Sequence, residues 1–489
     1  MSFEKFYVHN GQSWPLEQVP VMDEASFRRE ILKSCETGGR LVNLFGYHAQ
    51  DKNLYLCAVI GMDQEGKLSV FAARMPGGQV HFESLTPVLP QAHLFEREIA
   101  EQFGIIIQGH PWLKPVRSHQ DYSFYEIRSE ETHEVAVGPV HAGIIEPGHF
   151  RFQCHGEEIL NLEIQLGWQH RGVEKMMQEI SLERAMLVAE SIAGDTVIGH
   201  GTAFCNIIEA LSDTEVPLQA EMIRIIALEL ERLANHVGDM GALSTDIGFL
   251  PVSAYFGRLR GEFLNLSMEL CGSRFGRSLC RPGGVLFSLG PEMIEDFRRR
   301  LLKAQKDFME IAELFFSTSS VLSRLESTGR ISRQTAEELG LVGPAARSCG
   351  LERDVRTDYA FGMFRFQHIP VSTVVSGDVY ARALIRRLEA QRSIEFLLEA
   401  LDQIPSGELL KKPSALKPSH MALSLVEGWR GEIAHVAITD AQSRLMRYKV
   451  KDPSFNNWIA LSLAVRGAQI SDFPLCNKSF NLSYAGHDL

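Results

Sequence analysis

Between Leu218 and Met240, apolar residues recur at Ile223, Ile226, Leu230, Leu233 and Val237, three and four positions apart, the spacing of one face of an α-helix. Pro217 suits the first turn of such a helix. A helix this long must bury its apolar face against others. Glu229, Glu231, Arg232 and His236 fall on the same segment, and charges held inside a bundle need partners, so they read as an internal polar brace. Helical patterning from Glu183 onward, and again over Ile294–Leu314 and Asp378–Leu401, supplies the helices to pack against. The later part of the chain is therefore expected to be a mainly helical bundle, with small flanking sheets where Gly and Pro break it up.

The first 125 residues read differently. A helix over Glu24–Cys35 is followed by short apolar runs at Leu41–Phe45, Leu54–Ile60 and Leu68–Ala73, separated by Gly, Asp and Asn. That is a small sheet with helices. Next, Phe95–Phe103 has helical spacing, Gly104 is a stop, and Ile105–Ile107 continues as a strand. A chain of 489 residues exceeds one ordinary core. The expected organisation is α+β: an N-terminal domain over 1–125, a polar linker over 126–136 and a larger domain over 137–489.

A formal net charge of −12, with no long Lys/Arg run, disfavours the basic surface of a nucleic-acid binder. Eight cysteines without a C-x-x-C pair argue against zinc or iron–sulfur sites built from this chain; of these, Cys476, seven residues before Ser483, stands nearest the tail segment treated below. No uninterrupted apolar run of about 18 residues is present, and the first residues do not have the pattern of a secretory signal. The expectation is a chain without its own membrane span, in a reducing compartment.

The run Phe95-Glu-Arg-Glu-Ile-Ala-Glu-Gln-Phe-Gly-Ile-Ile-Ile-Gln-Gly-His-Pro111 is similar to the signature of the 30 kDa subunit of respiratory complex I and its hydrogenase counterparts. In that family the domain docks beside the 49 kDa subunit, which implies docking or structural roles for Glu96, Arg97, Glu98 and His110. Further on, Gly138-Pro-Val-His141, Glu146-Pro-Gly-His-Phe-Arg151, Gly156-Glu157 and His170-Arg-Gly-Val-Glu-Lys175 resemble the entry to the 49 kDa subunit and the nickel–iron hydrogenase large subunit. The Glu146–Arg151 wording is that of membrane-bound, energy-converting hydrogenases and formate hydrogenlyase. In complex I a histidine of this loop is thought to meet the quinone head group; His141 and His149 are its candidate counterparts, and with His170 of the His-Arg-Gly run they are the quinone-cavity candidates. The family's proton-carrying glutamate after Arg-Gly matches Glu174, which the resemblance leaves as either a proton relay or an inherited ion-pair partner.

In nickel–iron hydrogenases two cysteine pairs hold the metal, one early and one in the tail. The segments that resemble them here are Glu190–His200 and Ser479–Leu489, and aligning them puts Ala193, Thr196, Ser483 and Gly486 at the ligand positions. None is a thiolate, and nickel in a four-thiolate site requires soft, polarisable sulfur. The chain ends three residues past Gly486, where a matured hydrogenase tail would end. Glu427-Gly-Trp-Arg-Gly-Glu432 and Asp452-Pro-Ser-Phe-Asn-Asn-Trp458 restore the likeness to the hydrogenase form.

The resemblance therefore implies a peripheral subunit of a membrane-bound, complex I-related oxidoreductase, not catalytic alone, coupling electron transfer to ion translocation without a nickel–iron centre. Its implied partners are an iron–sulfur small subunit, which carries the clusters, and antiporter-like membrane subunits, at the cytoplasmic face of the membrane. No cofactor is expected on this chain itself, quinone being the one candidate ligand. No tyrosine stands between Asp195 and His200 to match the second quinone contact of complex I. The alternatives are a structural or assembly subunit without a redox role and, least favoured, an active hydrogenase.

Overall fold

The computed structural model describes residues 6–75, 80–120, 122–141 and 145–489. Residues 142–144, within the loop between His141 and His149, thus lie outside the described residues. The helix expected from Leu218 runs to Asp246, with Pro217 as its N-cap residue. Most of its length is buried, and Ile223, Ile226, Leu230, Leu233 and Val237 are all at most 1% exposed. It is the hub of the bundle. Leu250–Cys271 folds back on it, Val379–Asp402 packs along it, and Pro291–Ser317 lies against both of these.

In the N-terminal part, strands Arg40–His48, Leu54–Met62, Lys67–Arg74 and Tyr7–Val8 form an antiparallel sheet, with Val21–Met22 joining in parallel. Helix Glu24–Glu36 covers one face through Phe27 and Ile31, its start fixed by Asp23, whose carboxylate accepts the Ser26 N–H at 2.9 Å. Helix His93–Phe103 ends at Gly104, which takes the left-handed conformation at φ 64°.

A sheet that the sequence reading did not anticipate connects the two parts. Strands His420–Gly428, Gly431–Thr439 and Leu445–Lys451 pair antiparallel, and Ser13–Pro15 from the N-terminal region adds the fourth strand. The two sheets share an apolar core in which Val42, Phe45, Val59 and Val70 meet Leu423, Leu425, Val436 and Ile438. Residues 133–137, at the end of the stretch read as a linker, form a strand beside His149–His155. Among the described residues no helix is long and apolar enough to cross a membrane.

Candidate functional site

Strands His420–Gly428 and Gly431–Thr439 are joined by a two-residue turn, with Gly428 paired to Gly431, so Trp429 and Arg430 stand at the hairpin tip. The tip reaches the point where Glu190–His200 meets the C-terminal segment. The Arg430 guanidinium donates to both Asp195 carboxylate oxygens at 2.6 and 2.8 Å, to Thr196 Oγ1 at 3.3 Å and to the Asn481 carbonyl at 2.6 Å. It also lies over the Trp429 ring, 3.9 Å from the centroid. One cation thus ties both segments together. Burial works to raise the Asp195 pKa, but the charge and hydrogen bonds of Arg430 outweigh it and hold the carboxyl below its usual range.

A second link is made by Asp452, which caps helix Pro453–Ala464 through the Ser454 N–H at 2.8 Å and lies 3.1 Å from His200 Nε2. The position a Cβ of Gly486 would take is 2.6 Å from that carboxylate, so only glycine fits there. Ser483 is equally committed: its Oγ accepts the Gly486 N–H at 2.9 Å and its own N–H donates to Ser454 Oγ at 2.8 Å. Ala193, Thr196 and Ser483 are at most 2% exposed, and Gly486 is also buried. The four positions offer a methyl group, two hydroxyls and a hydrogen, a donor set that does not fit nickel. Among the described residues no cluster of three or more His, Cys, Asp or Glu is arranged to hold a metal ion.

Beneath the tip, Glu231 accepts the N–H groups of Ile198 and Gly199 at 2.7 and 3.0 Å, the first free donors of helix Val197–Leu211. Burial, reinforced by the neighbouring Asp195 charge, pushes its carboxyl up to about 8, the backbone donors offsetting part of the rise. It faces a crevice of about 10 Å³, room for roughly one water, shared with Asp195, Ser267 and Arg274. From His200 a fully buried line continues: Nδ1 is 3.1 Å from His435 Nε2, and His435 Nδ1 is 2.9 Å from Tyr448 Oη.

Glu174 sits in a different place, against strand Leu445–Lys451. Its carboxylate accepts from Lys449 Nζ and the Val450 N–H at 2.8 and 3.0 Å and pairs with Arg447 at 2.9 Å. Lys449 also pairs with Glu98, which in turn receives Arg117 at 2.6 Å. Burial alone would raise the Glu174 carboxyl; Arg447, Lys449 and Arg117 override it and hold the group well below the carboxylate range. Arg117 reaches on to the Asp488 carbonyl at 2.7 Å, so this network also fastens the tail.

The three histidine candidates each turn to a backbone carbonyl. His141 Nε2 is 2.8 Å from the Gly148 carbonyl, His149 Nδ1 is 3.2 Å from the Gly138 carbonyl, and His170 Nδ1 is 2.8 Å from the Asp488 carbonyl. Of the run 95–111, Glu96 accepts from Ser84, Leu85 and Thr86, and Arg97 donates to the carbonyls of Lys114 and Pro115, all within the N-terminal part. The brace on the central helix is present: Glu229 receives Arg356 and Ser393, Arg232 donates to Glu389, and Glu389 also receives Arg347. Cys476 is buried, its sulfur 3.9 Å from Arg382 Nη2.

Sequence reasoning did not single out Arg430, Asp195, Asp452 or His435. Asp195, Arg430 and Asp452 do stand inside three stretches that resemble the hydrogenase form, Glu190–His200, Glu427–Glu432 and Asp452–Trp458, and that was the available signal.

Comparison with known proteins agrees with this layout. The family described as "Respiratory-chain NADH dehydrogenase, 30 Kd subunit" matches residues 29–132, and "Respiratory-chain NADH dehydrogenase, 49 Kd subunit" matches 246–422 and 412–488. Formate hydrogenlyase subunit 5 of Escherichia coli is 26% identical over 96% of this chain and 89% of its own length. An NADH-quinone oxidoreductase subunit of Clostridium beijerinckii is 30% identical over 71% of this chain and 94% of its own length. A chain of the solved membrane-bound sulfane sulfur reductase, an archaeal respiratory membrane complex, superposes with a TM-score of 0.70 at 23% identity, covering 75% of this chain and all of that one. That last likeness is one of fold.

Proposed function

Since the chain belongs to the family of complex I 30 kDa and 49 kDa subunits and their hydrogenase relatives, with both domains fused, we propose that it is a peripheral subunit of a membrane-bound oxidoreductase complex of this kind, acting without a nickel–iron centre of its own. The observation that carries this reading is the Arg430–Asp195 pair. A guanidinium bridges the two segments that hold the metal in a nickel–iron hydrogenase, and no thiolate stands at Ala193, Thr196, Ser483 or Gly486. The subunit would sit at the cytoplasmic face, between an iron–sulfur small subunit that carries the clusters and antiporter-like membrane subunits. There it would couple electron transfer, with quinone as the candidate acceptor, to ion movement. In this reading Glu174 is the anionic centre of a brace that locks the tail to the body, since three cations keep it ionised.

A second reading, a structural or assembly subunit without a redox role, is favoured by one specific observation. Each of the three candidate histidines already engages a backbone carbonyl of its own chain. Mild-detergent purification of the tagged chain from its native membranes, with mass spectrometry and metal analysis of the assembly, tests both. An iron–sulfur partner and antiporter-like proteins, with iron but no nickel, are expected. Nickel in stoichiometric amount would overturn the metal-free reading, and recovery of the chain alone would favour the assembly role.

A further inference from the structure

Independently of that reading, a cleft of about 290 Å³ opens on the seam between the two parts of the chain. Its walls are helix His93–Phe103, residues 112–116 with Tyr122, strand Glu158–Gln165 and helix Pro453–Ala464. The volume is at the small end of ligand pockets, roughly 300–1,000 Å³.

What distinguishes the cleft is an imbalance of charge. Its walls carry two guanidiniums, Arg97 and Arg466, and one carboxylate, Glu163. That carboxylate is already taken: Lys114 Nζ reaches it at 2.5 Å, and Tyr122 Oη and the Tyr125 N–H each donate to it at 2.8 Å. Glu101, the next carboxylate along the Arg97 helix, accepts the N–H groups of Val116, Arg117 and Ser118. Neither arginine forms an ion pair among the described residues. Arg97 is only 9% exposed, and it donates from Nε and Nη2 to the Lys114 and Pro115 carbonyls at 2.7 and 2.8 Å. Those two bonds fix the guanidinium but bring no negative charge to it. Burial lowers its pKa, and Tyr122, Glu163 and Glu101 offset only part of the effect. An arginine stays protonated all the same, so the wall holds a desolvated cation with no anion in contact, an arrangement that is costly when left unpaired. At the mouth Arg466 is exposed and donates to Asn161 at 3.2 Å. Burial pushes the His93 ring down to about 3, so that imidazole is neutral near pH 7 and adds no charge of its own. The remaining wall includes the part-exposed apolar side chains of Trp112, Ile164 and Ile459.

We propose that this cleft binds a small organic acid, its carboxylate seated on Arg97 and attracted by Arg466 at the mouth, its apolar body against Trp112, Ile164 and Ile459. A carboxylate presents the planar pair of oxygens that a guanidinium fork receives, and it supplies the counter-charge that no side chain of the wall provides. A neutral ligand would leave Arg97 unpaired. A bare inorganic anion would leave the apolar wall uncovered.

The test uses the full chain and hexanoate, with hexan-1-ol and inorganic phosphate as comparisons, titrated by calorimetry and by ligand-observed NMR. Saturable one-to-one binding of hexanoate is expected, with neither comparison displacing it at equal concentration. Arg97→Gln, which removes a charged hydrogen-bond donor, should weaken it roughly ten- to a hundredfold. Arg466→Gln changes an exposed side chain, should leave folding intact, and should weaken binding roughly two- to fivefold. Ile459→Trp, which fills the cleft, should abolish it while thermal unfolding stays cooperative; should the Arg97 or Ile459 variant not fold, Arg466→Gln and the hexan-1-ol comparison decide. Absence of saturable hexanoate binding, displacement by either comparison at equal concentration, or binding that neither arginine substitution weakens would overturn the proposal.

Discussion

Arg430 and Glu231 show how single buried groups decide what this site can be. Asp195 is held ionised by one guanidinium, and its side chain keeps 33% of its surface exposed, so Arg430→Leu strands a half-buried carboxylate. Such a loss costs about 1–3 kcal/mol, solvent screening part of the stranded charge, and is read as a fall in thermal or urea midpoint. Asp195→Asn in the same chain should recover much of it, because the stranded charge is then removed; no recovery would mean that Arg430 acts through Trp429 packing instead. For Glu231 the sign runs the other way. Its folded pKa, about 8, is above the usual 4.5, so its contribution is intact below pH 4.5 and is lost as pH rises towards 8, when the unfolded state ionises first. Glu231→Gln has no such loss. Relative to the parent chain it should gain roughly 2–3 kcal/mol more at pH 9 than at pH 6, in line with two pKa units. A pH-independent difference would mean that the carboxyl titrates in its ordinary range. Neither residue's role was legible in the sequence. Glu231 could be placed on a helix and called part of a brace, but the N–H groups it accepts belong to residues 32 and 33 positions away. Arg430 meets Asp195 across 235 positions, which no local pattern encodes.

At the scale of elements, legibility followed periodicity. The central helix, the Glu24–Glu36 helix and the three long N-terminal strands appear where spacing and turn residues put them. Helix Leu250–Cys271 was missed, and its sequence explains why: Gly257 and Gly261 interrupt it, and exposed Leu250 and Met268 blur its apolar face. The strands between His420 and Lys451 were missed for the opposite reason. They are buried almost throughout, so they lack the alternation that marks a half-exposed strand. The hairpin they form also depends on a contact invisible to pattern reading. Gly343 has φ +65°, and a Cβ there would lie 2.1 Å from the Arg430 carbonyl oxygen. Gly343→Ala therefore has to displace the hairpin tip or the Gly343–Arg347 helix, at a cost of at least about 1–3 kcal/mol from the backbone conformation alone. Because the tip carries Trp429, a lower unfolding midpoint should come with a shifted tryptophan emission in the folded state. A lowered midpoint with unchanged emission would place the strain in the short helix.

For the whole molecule, the sequence reading of two domains and a linker describes the chain's order but not its cohesion. Ser13–Pro15 is a strand of the C-terminal sheet, the two sheets share one apolar core, and Glu98 and Glu174, from different parts, share Lys449. A seam built this way gives neither part a complete surface of its own, so residues 1–125 and 137–489 should unfold as one unit. Native-state hydrogen exchange checks this directly: amides of strand Leu54–Met62 and strand Gly431–Thr439 should open with the same free energy. The shared ion network adds a pH signature. Glu98 and Glu174 are both held below the usual 4.5, so their stabilisation is present above that value and is lost as pH falls below it. Acid should then loosen both strands together, below about pH 4.5. Lys449→Met leaves two carboxylates facing each other across the seam, with Arg117 and Arg447 as their remaining partners, and should weaken both strands' protection equally at neutral pH while shrinking the acid-dependent loss. If instead only the Leu54–Met62 strand lost protection, the N-terminal part would be a separate folding unit, and the seam a docked interface between two domains.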